Sequence, residues 1–237
     1  MKPGAEIPQS GEKPAGRRIA LFGGTFDAIH TGHLAVAEAA EKRFLLDQVL
    51  FIPAGHPPHK PDTDLSPFPH RMAMVALACA GHARFVLSLA EAGNDGMCQP
   101  VFYSIDTVRH FRQMFDEPGD QLFFIVGADS FLHLPTWKSY EQLLGLCDFV
   151  VANRPGFPSD ALRQVIPPAL LGQCSEASTH DRQVISLHQT SVYLLDTVAS
   201  DVSATEVRSR LSSGKSVNGL VPPLVEEYIK KQGLYRE

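Results

Sequence analysis

Two histidines in a glycine-rich segment are the residues whose types and spacing most clearly suggest chemistry. His30 and His33 lie three residues apart in GGTFDAIHTGH, with Gly32 between them. Gly23 and Gly24 allow a tight backbone turn and close approach to a ligand, and a helix that follows would offer unpaired N–H groups to an anion. The segment therefore predicts a phosphate-binding turn with both imidazoles on one side.

These histidines have other interpretations. One could cap the helix while the other stays a satisfied polar residue near the surface. The HxxH spacing could also supply two zinc ligands, but no cysteine or carboxylate pattern nearby completes a recognised metal set. The glycine-rich turn and the paired imidazoles favour phosphate contact, and we predict no metal site built by the protein.

A second segment, VSATEVR at 202–208, combines a helix start with a cation. Ser203 and Glu206 have the spacing of a capping box, which predicts a helix beginning there. The N–H groups of that helix and the Arg208 guanidinium could receive a triphosphate. Alternatively, Ser203 only prevents fraying and Arg208 is a solvated charge.

The elements that must position these residues follow from the apolar pattern. Short apolar runs alternate with helical patterns, which predicts an α/β fold: a Rossmann-like, doubly wound, mostly parallel sheet with helices on both faces. Strands are predicted at 19–22, 49–53, 85–89, 122–127 and 148–152, and weaker ones at VISL and VYLLD. Helices are predicted near Gly32, over RMAMVALACA, SIDTVRHFRQMF and SYEQLLGL, and in a C-terminal helical portion, 203–237, with an apolar stripe of Leu224, Val225, Tyr228 and Ile229.

Composition narrows the class of protein. The chain is 44% hydrophobic and 20% charged, which is ordinary for a globular protein, and its formal net charge of -5 gives no general attraction to nucleic acid or membrane surfaces. Four scattered cysteines indicate reduced, mostly buried thiols: Cys79, Cys98, Cys147 and Cys174. We expect a cytoplasmic protein with a mobile tail over 1–17 and one domain over 18–237. The oligomeric state stays open.

Both motifs resemble those of a known family. GGTFDAIHTGH resembles the GxFxxxHxGH signature of the nucleotidyltransferase superfamily that includes nicotinate-nucleotide adenylyltransferases, and VSATEVR resembles its ISxTxxR motif. The resemblance extends from Arg18 to Tyr235. It implies transfer of the adenylyl group of ATP, carried with Mg²⁺, to nicotinate mononucleotide, giving nicotinate adenine dinucleotide and pyrophosphate. Small departures are Ala28 in place of a common Pro, Ala204 in place of Ser, and Ser104 in place of Thr.

The resemblance also implies roles for individual residues. The catalytic set is His30, His33, Lys60 and Arg208. ATP binding is implied for Gly23, Gly24, Thr25, Phe26, His30, His33, Gly127, Asp129, Ser203, Thr205 and Arg208. Binding of the mononucleotide is implied for Lys60, Arg71, Ser104, Thr107, Trp137, Lys138 and Arg154, with His59 a weaker candidate and Trp137 stacking on the pyridine ring.

Three rival functions stay open from the sequence. A related transferase could use nicotinamide mononucleotide or phosphopantetheine as the acceptor. A histidine-dependent metal hydrolase would contain zinc and would lose activity with a chelator. A non-catalytic nucleotide-binding module would bind ATP and release no pyrophosphate with any acceptor.

Overall fold

The computed structural model describes residues 15–55, 65–93, 101–153, 159–172, 184–196 and 202–236. Seven strands form one sheet, comprising β1 (Arg18–Gly24), β2 (Gln48–Pro53), β3 (Phe85–Leu87), β4 (Gln121–Gly127), β5 (Asp148–Ala152), β6 (Val184–Ser186) and β7 (Ser191–Leu195). Their order is β3-β2-β1-β4-β5-β7-β6. No helix among the described residues combines the length and apolar character needed to cross a membrane.

Eight α-helices accompany the sheet. They are α1 (Thr31–Phe44), α2 (Phe68–Cys79), α3 (Ser104–Met114), α4 (Ala128–Leu132), α5 (Tyr140–Leu144), α6 (Ser159–Gln164), α7 (Ala204–Ser212) and α8 (Pro223–Gln232), within the described ranges. The predicted α/β class with a mostly parallel sheet is confirmed. Only β6 and β7 form an antiparallel pair among the strand pairs whose register is resolved.

The chain divides into two compact units. One unit contains Met1–Phe22, Ala39–Val49 and Tyr103–Ala199, and we call it the sheet unit because it holds β4, β5, β6 and β7. Its central strands β4 and β5 are buried almost throughout. Such continuous apolar strands are typical of parallel sheets whose two faces are both covered.

The second unit contains Gly23–Glu38, Leu50–Phe102 and Ser200–Glu237, and we call it the motif unit because both sequence motifs lie in it. Here α2 packs against α8, whose buried side is centred on Val225 and Ile229. Leu224 was predicted to belong to the apolar stripe of this helix, but its side chain is 50% exposed, so that part of the prediction is wrong. It lies about 100° around the helix from Val225 and therefore off the packed side.

Most predicted elements match the structure within a few residues. The third strand ends at Leu87, two residues earlier than predicted, and Leu89 beyond it is 61% exposed. The short helices α4 and α6 were not predicted, because each spans only five or six residues. The equally short α5 was predicted because it lies within the longer apolar pattern SYEQLLGL. Cys79 and Cys147 are buried free thiols, as expected, and Cys98 and Cys174 lie outside the described residues.

Candidate active site

The turn after β1 carries the first motif. Gly23 and Gly24 lie at the end of the strand, which corrects the expectation that they make the bend. A side chain at Gly24 would come within 3.0 Å of the Phe26 ring, so close packing explains this glycine. The bend uses Phe26 itself, with φ of 50°, a left-handed conformation that is uncommon for residues other than glycine.

Packing of the Phe26 side chain stabilises this conformation. The residue is 2% exposed, and its ring centroid lies 5.7 Å from that of Phe51. The Phe26 ring also meets the His33 imidazole edge-on, at 5.1 Å between centroids. Strained backbone persists where surrounding contacts hold it, and here those contacts also orient a histidine of the motif.

His30 and His33 converge, as the sequence predicted. Their ring centroids are 3.7 Å apart with an angle of 32° between the planes. The backbone N–H of His30 donates to Nδ1 of His33 at 3.2 Å. Because Nδ1 accepts a hydrogen bond, a neutral His33 carries its proton on Nε2, which can then donate to a phosphate oxygen.

Burial keeps both imidazoles neutral. It lowers the pKa of His30 to about 4, because the charged form loses its hydration. Burial also lowers the pKa of His33 well below its ordinary value, and the neighbouring His30 adds to that effect. At neutral pH the pair therefore offers neutral hydrogen-bond donors, which need no reorganisation when charge develops on a phosphate.

The start of α1 is less open to an anion than the sequence suggested. The Thr31 N–H donates to the Leu220 carbonyl at 2.9 Å, and the Thr31 hydroxyl donates to the same oxygen at 3.1 Å. One amide at the helix N-terminus is therefore already used inside the protein.

Arg208 meets the first motif within the motif unit. Its Nη1 donates a short hydrogen bond to the backbone carbonyl of Asp27, three residues before His30. The two distant segments that the sequence singled out therefore come into direct contact. The contact places one guanidinium nitrogen of Arg208 against the backbone of the histidine turn, and phosphate binding by Arg208 stays a prediction.

The structure changes the role of Arg71. Its side chain is buried at 2% exposure, and its guanidinium lies 5.1 Å from the centroid of the Phe68 ring. Its N–H groups donate at 2.7 to 3.1 Å to four backbone carbonyls, those of Thr25, Ala54, Gly55 and Ser66. Burial lowers the pKa of Arg71, and a nearby Asp27 opposes that shift. This arginine therefore holds together the loops that follow β1 and β2, and its contact with substrate stays a prediction.

The second motif begins a helix, as predicted. Ser203 is the N-cap of α7, and its Oγ accepts the N–H of Glu206 at 3.1 Å. That bond is half of the predicted capping box. Thr205 lies exposed in the first turn of the same helix. Contact of Ser203 and Thr205 with ATP stays a prediction.

Other predicted residues lie in the sheet unit. Gly127 ends β4 and precedes α4, and Asp129 is exposed in the first turn of that helix. Trp137 is half-buried and packs edge-on against Phe124, with 6.3 Å between ring centroids. Their contacts with ATP and with the pyridine ring stay predictions.

The predicted acceptor segment forms a small polar cluster in the sheet unit. Lys138 Nζ lies 3.3 Å from an Asp106 carboxylate oxygen and 4.2 Å from the centroid of the Tyr103 ring. Ser104 is the first residue of α3 and is half-buried. Thr107 is buried, and its hydroxyl lies 3.5 Å from the Tyr103 carbonyl. Binding of the mononucleotide by Ser104, Thr107 and Lys138 stays a prediction.

Three predicted positions, Lys60, Arg154 and the weaker candidate His59, lie outside the described residues. In the part of the chain that is described, no three His, Cys, Asp or Glu side chains come together as a metal-binding group. The imidazoles of His30 and His33 converge, and Arg208 is bonded to the backbone of the same turn.

Comparison with known proteins assigns the family. The protein named probable nicotinate-nucleotide adenylyltransferase of Geobacter sp. (strain M21) is 42% identical over 219 residues, which are 92% of this chain and 98% of that one. The chain belongs to the nicotinate-nucleotide adenylyltransferase family. The protein of the same name from Moorella thermoacetica is 39% identical and covers 92% of both chains. The broader cytidylyltransferase-like family model matches residues 21–210.

Solved structures agree on the fold of this family. The Plasmodium falciparum nicotinic acid mononucleotide adenylyltransferase complexed with NaAD has a TM-score of 0.66 and 17% sequence identity. It covers 92% of this chain and 97% of its own. The same enzyme complexed with APC gives a TM-score of 0.64 at 16% identity. At this identity the likeness concerns the fold.

The structure adds residues that the sequence reasoning missed. Asp27 lies inside the first motif but was assigned no role, although a charged residue among apolar ones was a visible signal. Tyr235 was noted only as the end of the resemblance, yet its hydroxyl donates to an Asp27 carboxylate oxygen. The Leu220 carbonyl, which accepts from Thr31, carried no sequence signal, because any residue has a carbonyl.

Proposed function

We propose that this protein transfers the adenylyl group of MgATP to nicotinate mononucleotide, releasing nicotinate adenine dinucleotide and pyrophosphate. A phosphate oxygen of the mononucleotide attacks the α-phosphorus of ATP, and the bond from that phosphorus to the bridging oxygen of pyrophosphate breaks. The attacking oxygen is already an anion, so no general base is required. Catalysis then consists of positioning and charge stabilisation.

One observation carries this proposal: the neutral imidazoles of His30 and His33 lie 3.7 Å apart between ring centroids, in a turn whose Asp27 carbonyl accepts a hydrogen bond from Arg208. Neutral donors and a fixed guanidinium match the charge that spreads over phosphate oxygens during transfer. We assign His30 and His33 to the ATP phosphates. Arg208 and Lys60 would contact the phosphates of the two substrates. The Mg²⁺ ion would be held by nucleotide oxygens and water.

The names of the relatives support the choice of acceptor. Trp137 would stack on the pyridine ring, and Ser104 with nearby amides would bind its carboxylate, which would separate the acid from the amide. Gly127 and Asp129 would contribute to nucleotide binding. We further propose that the reaction takes place in the cytoplasm.

An acceptor panel tests the proposal. The purified protein is incubated with MgATP and, separately, nicotinate mononucleotide, nicotinamide mononucleotide or phosphopantetheine, and pyrophosphate release is measured. We expect the highest kcat/KM with nicotinate mononucleotide, and product identity is checked by mass spectrometry. A preference for either other acceptor would replace the proposed substrate. ATP binding without pyrophosphate release from any acceptor would contradict the enzymatic assignment itself.

A further inference from the structure

Asp27 joins three distant parts of the motif unit at the turn that carries the histidine pair. The residue is 2% exposed. Its Oδ2 accepts the backbone N–H of Ser66 at 3.1 Å, just before α2. Its Oδ1 accepts the hydroxyl of Tyr235, near the end of the chain, and its carbonyl accepts from Arg208.

Burial makes the Tyr235 hydrogen bond important for the Asp27 carboxylate. A buried carboxylate is tolerated when donors satisfy its oxygens, and an unsatisfied one is costly. Burial and the adjacent Asp27 both raise the pKa of Tyr235, so the phenol keeps its proton at neutral pH. The hydroxyl also lies 3.9 Å from the sulfur of Met74, so apolar packing accompanies the bond.

The C-terminal part of the chain contacts the motif turn at three points. Arg208 bonds the Asp27 carbonyl, Tyr235 bonds the Asp27 carboxylate, and the Leu220 carbonyl accepts the N–H of Thr31 at 2.9 Å. These contacts lie before and after the segment that leads to His30. The position of the imidazole pair therefore depends on residues far away in sequence.

We propose that Tyr235 and Asp27 are positioning residues for adenylyl transfer, whose hydrogen bond fixes the histidine turn relative to Arg208. This inference rests on the proposed function. Loss of the phenol hydroxyl leaves Asp27 Oδ1 without that donor, and the turn shifts to recover one. Because displacements of about 1 Å at reacting groups can reduce rates by up to about 10²-fold, the effect falls on kcat.

The test compares two tyrosines of the same unit. Tyr235→Phe removes the hydroxyl bonded to Asp27, whereas Tyr228→Phe removes a hydroxyl that hydrogen-bonds Nδ1 of His70 at 2.8 Å and joins α8 to α2. We expect Tyr235→Phe to lower kcat about tenfold with the KM for ATP within about threefold of wild type. Tyr228→Phe should keep kcat within about twofold. Thermal unfolding of both variants checks that each is folded at the assay temperature.

A double-mutant cycle separates positioning from general destabilisation. In the Arg208→Lys background, the hydrogen bond to the Asp27 carbonyl is already altered, so Tyr235→Phe should lower kcat by less than about threefold. A kcat for Tyr235→Phe within about twofold of wild type would overturn the proposal. So would an equal loss in Tyr228→Phe, or the same factor in both Arg208 backgrounds.

A spectroscopic measurement keeps this inference distinct from the proposed function. Two-bond ¹H–¹⁵N spectra of the histidines report whether Nδ1 of His33 accepts a hydrogen bond, and they require no substrate. Tyr235→Phe should change the His33 signals. Tyr228→Phe should change only those of His70, whose hydrogen bond it removes, and should leave the His33 signals unchanged. If the wild type transfers no adenylyl group to any acceptor, the proposed function fails, and unchanged His33 signals in Tyr235→Phe would separately refute the positioning role.

Discussion

Acid should destabilise this protein through its buried histidines. His30 is 8% exposed, and burial lowers its pKa to about 4 from the ordinary value of 6.5. The unfolded chain therefore binds a proton there near pH 6.5, whereas the folded chain does so only near pH 4. The stability that this residue contributes is complete above pH 6.5 and decreases as the pH falls toward 4.

The size of the effect follows from linkage between proton binding and folding. From His30 alone, the free energy of unfolding should be about 2 kcal/mol lower at pH 5 than at pH 7.5. His33 has a pKa lowered in the same direction and adds a loss of the same sign. Asp148 acts oppositely, because burial raises its pKa to about 6 and folding then favours its protonated form at low pH.

Urea unfolding monitored by circular dichroism at several pH values between 7.5 and 5 measures this dependence. His30→Gln removes one titrating imidazole, so its free energy of unfolding should change by about 2 kcal/mol less than that of wild type over this range. His110→Gln, at an exposed position on α3, is the matched control and should follow the wild-type dependence. An identical pH dependence in His30→Gln and wild type would refute burial of a neutral imidazole as the cause.

Three further predictions concern single side chains. His33→Ala should reduce kcat about 10²- to 10³-fold with little change in the affinity for the mononucleotide, because the His33 donor acts mainly in the transition state. Steady-state kinetics measures kcat and a binding titration measures the affinity. An equal loss in kcat and in affinity would disprove this role. Arg71→Met should lower the free energy of unfolding by about 3 kcal/mol or more in urea titrations, since four backbone carbonyls lose the donors that this buried arginine supplies. A loss below about 1 kcal/mol would contradict that role. Ser203→Ala should lower the free energy of unfolding by about 1 kcal/mol in the same assay, and Ser203→Asp should keep it near the wild-type value because aspartate also caps helices. Equal stability of the wild type and both variants would exclude a capping role.

Local patterns in the sequence were enough for the elements and for part of the site. The buried strands, the cap at Ser203 and the approach of His30 to His33 all depend on residues within a few positions of one another. Such short-range geometry is set by backbone periodicity and by glycine or capping chemistry, which the sequence displays directly. The meeting of Arg208 with the first motif followed from resemblance, because no spacing rule connects residues so far apart.

Only the tertiary structure decided which polar groups form hydrogen bonds within the protein. Asp27 finds its partners 39, 181 and 208 residues away, and the sequence offers no period or spacing for such contacts. Arg71 donates to four backbone carbonyls that lie between 5 and 46 residues away, and no sequence pattern indicated those bonds. Residue types thus determined which chemistry was available. Long-range packing decided where each charged side chain was buried, and therefore which of these groups stabilise the histidine turn.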